Sequence, residues 1–247
     1  MRVAIVSDLH GNLTAFEAVL SDLKKTSPDL IFHGGDLADG GASPVEVIDR
    51  IRGLGWQGVV GNTDELLFDP KSLSEFARSS PAHLEPLFSM IEEMAQMTRE
   101  RLGEDRLAWL RTLPQEQSHG AIALVHASPQ SRWRAPLPET SEPEMELIYG
   151  ALGQPIIVYA HIHRPYTRRI ATRIVANSGS VGLPYDGDRR AAYLLIDESG
   201  PVIHRVEYDI EKEVRALSQS GIPHADWIAK TLLSGSFQMP QTPHSGG

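Results

Sequence analysis

The order of strand-like and helix-like runs constrains this chain more than any other feature. Residues 2–7 form an apolar, β-branched run of the kind that makes a buried strand. After Asn12, a helix-capping residue type, Leu13, Phe16, Val19, Leu20 and Leu23 recur at helical spacing. A second unit follows. Leu30–His33 is strand-like, a loop passes through Gly34 and Gly35, and Ser43 with Glu46 predicts a capping box around Pro44. That helix turns Val45, Ile48 and Ile51 inward and is expected to end near Gly53 or Gly55, before a short third strand at Val59 and Val60.

The pattern then changes. Residues 71–113 are helical in character, with Leu84, Leu87, Phe88, Ile91, Met94, Leu107, Trp109 and Leu110 as apolar positions, and predict a helical cover over a sheet. Strands return at 121–125, 156–159, 168–176, 191–196 and 202–206, and the last three are expected to be antiparallel because no helix separates them. Strands alternating with helices and then following one another predict an α/β (α+β) fold, a four-layer α/β/β/α sandwich of two mixed sheets. The Pro/Ser-rich stretch 128–143 reads as a long loop, which inside a compact domain is functional or mobile. Residues 211–234 predict one or two C-terminal helices, and 236–247 a tail with too little apolar content to fold alone. With 247 residues, 41% of them hydrophobic, a single domain over 1–235 is expected.

Composition narrows the chemistry. The chain has no cysteine, which excludes disulfides, iron–sulfur clusters, Cys-ligated zinc and a thiolate nucleophile, so any metal must use His, Asp, Glu, Asn or water. The longest apolar run, 191–196, is far below the ~20 residues of a membrane helix. The N-terminal run is too short for a signal peptide, and a cytoplasmic location is expected. A formal charge of −9 argues against sequence-independent binding to nucleic acid or anionic lipid.

Metal-type side chains end the strand-like runs: Asp8 and His10, Asp36, Asn62, His126, then His161 and His163. In layered α/β sheets that edge is where ligands bind. Singly, Asp8 and Asn62 read as turn residues and His126 as a packed histidine, and His33 has no matched role. His161 and His163 share one face of an extended segment, an arrangement that gains little without a cation.

The blocks Asp8-Leu9-His10, Gly35-Asp36-Leu37-Ala38-Asp39, Gly61-Asn62-Thr63-Asp64, His126-Ala127-Ser128-Pro129 and Ala160-His161-Ile162-His163-Arg164-Pro165 together resemble the calcineurin-like metallophosphoesterase superfamily. The run from Asn177 through Ser178, Gly179, Ser180 and Gly182 to Pro184 is similar to a segment of its small prokaryotic, phosphodiesterase-like branch. The resemblance implies a dinuclear centre. One divalent ion would take Asp8, His10, Asp36 and His163, and the other Asp36, Asn62, His126 and His161, with Asp36 bridging. A hydroxide bridging the two ions would attack the phosphate ester. Mixed His and carboxylate ligands without thiolate suit Mn²⁺, the first expectation, or Fe, Zn²⁺, Ni²⁺, Co²⁺ and Mg²⁺.

Departures from the family pattern narrow the substrate. Where protein phosphatases and diadenosine-tetraphosphatase-like members carry a His that protonates the leaving group, this chain has Thr63, a poor acid. Gly40 follows Asp39 where those members hold phosphate with an Arg. The resemblance therefore implies a phosphodiesterase acting on a small-molecule or nucleotide phosphate ester, with Asp36, Asn62 and Asp64 catalytic and Thr63, Arg132, Arg134 and Arg164 as candidate substrate-binding residues. A phosphomonoesterase or nucleotide pyrophosphatase is the alternative among enzymes, and a non-catalytic binding scaffold the alternative of another class. Nothing in the sequence assigns an oligomeric state.

Overall fold

Both faces of the first strand, β1 (Val3–Val6), are buried, and its alternation sets the layering. Val3 and Ile5 point into a core shared with Phe32, Ile122, Leu124 and Val158, while Ala4 and Val6 point the other way, toward Phe16, Val19 and Ile48. In the computed structural model, which describes residues 1–240, the chain forms two five-stranded mixed sheets packed face to face with helices outside. The expected sandwich is therefore observed.

After β1 come α1 (Leu13–Thr26), β2 (Leu30–His33), α2 (Pro44–Leu54), β3 (Gln57–Gly58), α3 (Asn62–Phe68), α4 (Lys71–Ala77) and α5 (Glu85–Arg111). Then follow β4 (Glu116–His119), β5 (Ile122–Val125), α6 (Glu142–Tyr149), β6 (Ile156–Tyr159), β7 (Tyr166–Ile170) and β8 (Arg173–Asn177). The chain closes with β9 (Ala191–Asp197), β10 (Gly200–Val206), α7 (Ile210–Ser220) and α8 (Ala225–Ser234). The first sheet has the order β10-β9-β1-β2-β3, with β1, β2 and β3 parallel. The second has the order β4-β5-β6-β8-β7, with β5, β6 and β8 parallel. Helices α1, α2, α3 and α5 cover the first sheet, and α6 covers the second through Met145 and Tyr149. The pair α7 and α8 packs Leu217, Ile228 and Leu232 around Met94 of α5.

Several local expectations are corrected. Asn12 does cap α1, accepting from the Ala15 N–H at 2.9 Å. Ser43 forms no capping box, because its N–H is already donated to the Gly11 carbonyl and is lost to Glu46. The third strand lies at residues 57–58, and Val59 follows it into the inter-sheet core. Residues 168–176 are not one strand. They belong to the β7–β8 hairpin, which turns at Ala171 with φ 47°. Of the last three expected strands, β9 and β10 are antiparallel partners, whereas β8 lies in the other sheet beside parallel β6. The long loop ends in α6, which begins at Glu142. Residues 241–247 of the expected tail lie outside the described residues, and among those described no helix is long and apolar enough to cross a membrane.

His33 is fully buried, and among the described residues neither ring nitrogen has a partner. Burial pushes its pKa from 6.5 down to about 4. The folded state therefore refuses a proton that the unfolded chain accepts, and stability is lost as pH falls from 6.5 toward 4. The loss attributable to His33 is about 2 kcal/mol at pH 5. Urea unfolding of His33→Phe at pH 7 and pH 5 should show that much less acid sensitivity than the parent, and an equal slope would rule His33 out as its source.

Candidate metal centre

The strand-end residues predicted as ligands meet where the C-terminal edges of the parallel strands come together. Asp8 and His10 follow β1, Asp36 follows β2, Asn62 opens α3, His126 follows β5, and His161 and His163 follow β6. Asp8, His10, Asp36, His161 and His163 all have positive φ, between 47° and 68°. For non-glycine residues this costs on the order of 1 kcal/mol each and persists only where the surroundings hold it. Here Asp8 N–H donates to Gly35 O, His10 N–H to Asp36 O and Gly11 N–H to Leu37 O, which lock the first two loops together. The N–H of His161 reaches across to Asp8 Oδ1 at 3.2 Å and ties the second sheet to the first.

The candidate ligand atoms form two groups that share one residue. Asp8, His10, Asp36 and His163 place theirs within 4.8 Å of one another, and so do Asp36, His126 and His161. Asn62 Oδ1 joins the second group, 2.9 Å from His126 Nε2 and 2.8 Å from His161 Nδ1.

The donor set fits cations, for a reason visible in the hydrogen bonds. Nδ1 of His10, His126 and His163 each meets a backbone carbonyl, of Asp39, Gly34 and Leu183 respectively. A carbonyl only accepts, so each Nδ1 carries a proton, and each ring, when neutral, presents a bare lone pair at Nε2. Those lone pairs converge: His10 Nε2 is 3.2 Å from His163 Nε2 and 3.7 Å from Asp36 Oδ2, and His163 Nε2 is 3.2 Å from Asp8 Oδ1. Acceptors facing acceptors repel unless a cation or a proton lies among them. With Oδ1 inward, Asn62 is likewise set for a cation, whereas the reversed amide would donate to Asp36, His126 and His161.

Protonation follows the same logic. Burial would raise the pKa of Asp36, but the His126 charge and hydrogen bond hold it below the ordinary carboxylate range. Burial and then His126 push His161 down to about 4. Burial opposes charge on His126 too, yet the Asp36 carboxylate raises it to about 9, so without metal a proton takes the cation's place there.

Asp64 acts behind this layer. Its carboxylate accepts from the N–H groups of Asp36, Leu37 and Gly61 at 2.8, 2.9 and 3.0 Å, fixing the loop that carries Asp36. Burial, then the Asp36 charge, raises its pKa to about 6. Sequence reasoning missed the supports under Asp8: Ser7 Oγ donates to Asp8 Oδ2 and lies 2.6 Å from Ser178 Oγ, and Ser180 Oγ donates to Asp8 O. Ser178, part of the run that resembles the small prokaryotic branch, thus has a bonding role.

A cavity of about 290 Å³ opens over the ligand groups. Thr63 lines it, and its hydroxyl is buried without a partner among the described residues. The three candidate arginines do not line it. Arg132 pairs with Glu65, Arg134 lies over the Phe76 ring and donates to Ser79, and Arg164 pairs with Glu139.

The sequence profile of the calcineurin-like phosphoesterase superfamily domain matches residues 1–200. This chain belongs to that superfamily. An uncharacterized protein of Methanocaldococcus jannaschii is 29% identical over 94% of this chain and 98% of its own length. The crystal structure of a metallophosphoesterase from Sphaerobacter thermophilus superposes with a TM-score of 0.78 at 28% identity, covering 95% of this chain and 99% of that one. Two shorter matches differ in name. A probable cyclic nucleotide phosphodiesterase of Synechococcus sp. is 31% identical over 52% of this chain and 58% of its own length. A symmetrical bis(5'-nucleosyl)-tetraphosphatase of Nitrosococcus oceani is 28% identical over 60% of this chain and 51% of its own length. The chain thus matches about half the length of each of these two relatives.

Within this phosphoesterase fold, Gly61 is where the β3 end and the Asp36 loop touch. A Cβ there would lie 2.0 Å from Asp36 Oδ1 and 2.4 Å from the Asp36 nitrogen. Gly61→Ala should therefore cost about 1–3 kcal/mol in urea unfolding and lower metal content by displacing Asp36. Unchanged metal binding in a folded variant would show that the loop has slack.

Proposed function

We propose that this phosphoesterase is a metal-dependent phosphodiesterase with a dinuclear centre. The observation that carries the reading is the pair of acceptor-only groups sharing Asp36. Asp8, His10, Asp36 and His163 would hold one divalent ion, and Asp36, Asn62, His126 and His161 the other, Mn²⁺ being the first expectation. Two such ions supply Lewis acidity and an activated water for in-line displacement at phosphorus.

The chain's own residues define the rest. The Thr63 N–H donates to Asp36 Oδ1 at 2.9 Å and orients the shared carboxylate. No imidazole stands at position 63, so departure of the leaving group has no strong acid there to assist it. Among the described residues no Lys or Arg lines the cavity, so the extra charge of a monoester dianion finds no side-chain partner, whereas a diester monoanion needs less. The name of the Synechococcus relative points the same way.

The test is a panel of phosphate esters on metal-depleted protein titrated separately with Mn²⁺, Zn²⁺, Fe²⁺ and Mg²⁺. Bis(p-nitrophenyl) phosphate should exceed p-nitrophenyl phosphate in kcat/KM by about tenfold or more, and rates should fall steeply as the leaving group becomes more basic. A faster monoester assigns a phosphomonoesterase. Preference for a dinucleoside tetraphosphate assigns the pyrophosphatase chemistry named for the Nitrosococcus relative. No turnover with any ion, and less than one tightly held ion per chain, leaves the scaffold reading.

A further inference from the structure

The cavity over the metal centre has two unlike walls. One is the ligand groups. The other is aromatic and aliphatic, and it is assembled from separated parts of the chain: Phe76 and Phe88 from the helical cover, Trp133 from the loop after His126, Tyr185 from the loop before β9, Trp227 from α8 and Phe237 from the segment after it. These rings form two arms. On one side Trp133 stacks on Phe76 at 5.2 Å, and Phe76 meets Phe88 edge-on at 5.8 Å. On the other, Tyr185 stacks on the ligand His163 at 4.3 Å, Phe237 meets Tyr185 at 5.3 Å, and Trp227 meets Phe237 at 6.1 Å.

The two indole N–H groups of this wall, which could read a nucleobase, are already committed. The Trp133 indole N–H donates to Glu65 and the Trp227 indole N–H to the Gln238 carbonyl. The Arg134 guanidinium lies over the Phe76 ring and donates to Ser79. Size adds a second constraint. An apolar cavity of about 150 Å³ holds a benzene ring, so 290 Å³ seats a phosphate and one ring, and the rest of any larger ester would extend beyond it.

We infer that the site selects phosphate esters in which one alcohol component is a compact apolar or monocyclic aromatic group, seated between the Trp133–Phe76 and Tyr185–Phe237 arms. The inference rests on the phosphoesterase reading of the metal centre and adds the substrate class. Phe237 has a particular place in it. It lies in the otherwise apolar-poor segment 236–247, and the Trp227–Gln238 hydrogen bond holds Gln238, the residue after it, against α8.

Binding separates the possibilities without relying on turnover. Methylphosphonate, phenylphosphonate and thymidine 5'-phosphate present the same terminal charge with different bodies. Their dissociation constants can be read on the full-length, Mn²⁺-loaded protein by calorimetry and by quenching of tryptophan fluorescence. Phenylphosphonate should bind at least about tenfold more tightly than methylphosphonate, with thymidine 5'-phosphate no tighter than methylphosphonate. Phe237→Ala and Trp133→Ala should each narrow the phenyl-to-methyl ratio to about threefold or less, with metal content retained. Equal binding of the phenyl and methyl compounds, or a ratio untouched by both variants, overturns the inference. Tightest binding by thymidine 5'-phosphate also overturns it, in favour of a nucleoside, and leaves the phosphodiesterase reading intact. Failure of all three to bind, together with no hydrolysis of any ester, removes both.

Discussion

Asp36→Asn is expected to lower hydrolysis of an activated phosphodiester by about a thousandfold and to reduce bound Mn²⁺ from two ions to one or none per chain. Asp36 is the residue common to both ligand groups. Its Oδ2 faces His10 and His126 at 3.7 and 3.5 Å, while Oδ1 accepts from the Thr63 N–H at 2.9 Å. An amide keeps the shape and removes the charge. Its oxygen would satisfy the Thr63 N–H, which turns the NH₂ toward the imidazoles and offers donors where a cation needs acceptors. Folding should survive, because the variant deletes a buried charge and leaves the three hydrogen bonds of Asp64 in place. Metal analysis and single-turnover kinetics on the folded variant decide the point. Activity within tenfold of the parent would mean that Asp36 does not join the two groups.

How much of this was legible in the sequence depends on whether one residue's neighbours carry the signal. The candidate ligands were legible as a cluster because strands deliver them to one sheet edge at fixed spacing. Asp8 with His10 and His161 with His163 announce themselves as pairs. Their positive φ values were not legible, since only backbone bonds such as His10 N–H to Asp36 O impose them. β4 escaped because Glu116-Gln117-Ser118-His119 is a polar edge strand with no apolar period, held by pairing with β5. The β7–β8 hairpin escaped because its turn uses Ala171 and Thr172 instead of Gly or Asn. The cavity wall was hidden for another reason. Phe76, Phe88 and Trp227 sit at ordinary helical spacing, and a ring that faces a cavity has the same local pattern as one that faces a core.

Removing the metal should matter to stability nearly as much as to catalysis. A site filled at a hundred times its dissociation constant stabilises the fold by about 2.7 kcal/mol, so two sites give about 5 kcal/mol. For a chain of this size the melting temperature should fall by about 10–20 °C on chelation. Calorimetry with and without a chelator measures it, and Mn²⁺ addition should restore it. The stripped protein should still unfold cooperatively, because two substitutes relieve the bare acceptors: a proton on His126 and the reversed Asn62 amide, which would then donate to Asp36 and His161. The same proton sets the pH dependence. His126 titrates at about 9 without metal, burial resisting its charge and the Asp36 carboxylate outweighing that resistance. Each unit of pH below 9 should then weaken binding in the second group by up to about tenfold. Affinity should rise with pH and level off near 9. An affinity flat between pH 6 and 9 would mean that His126 is already neutral before the ion arrives, and that the proton does not stand in for it.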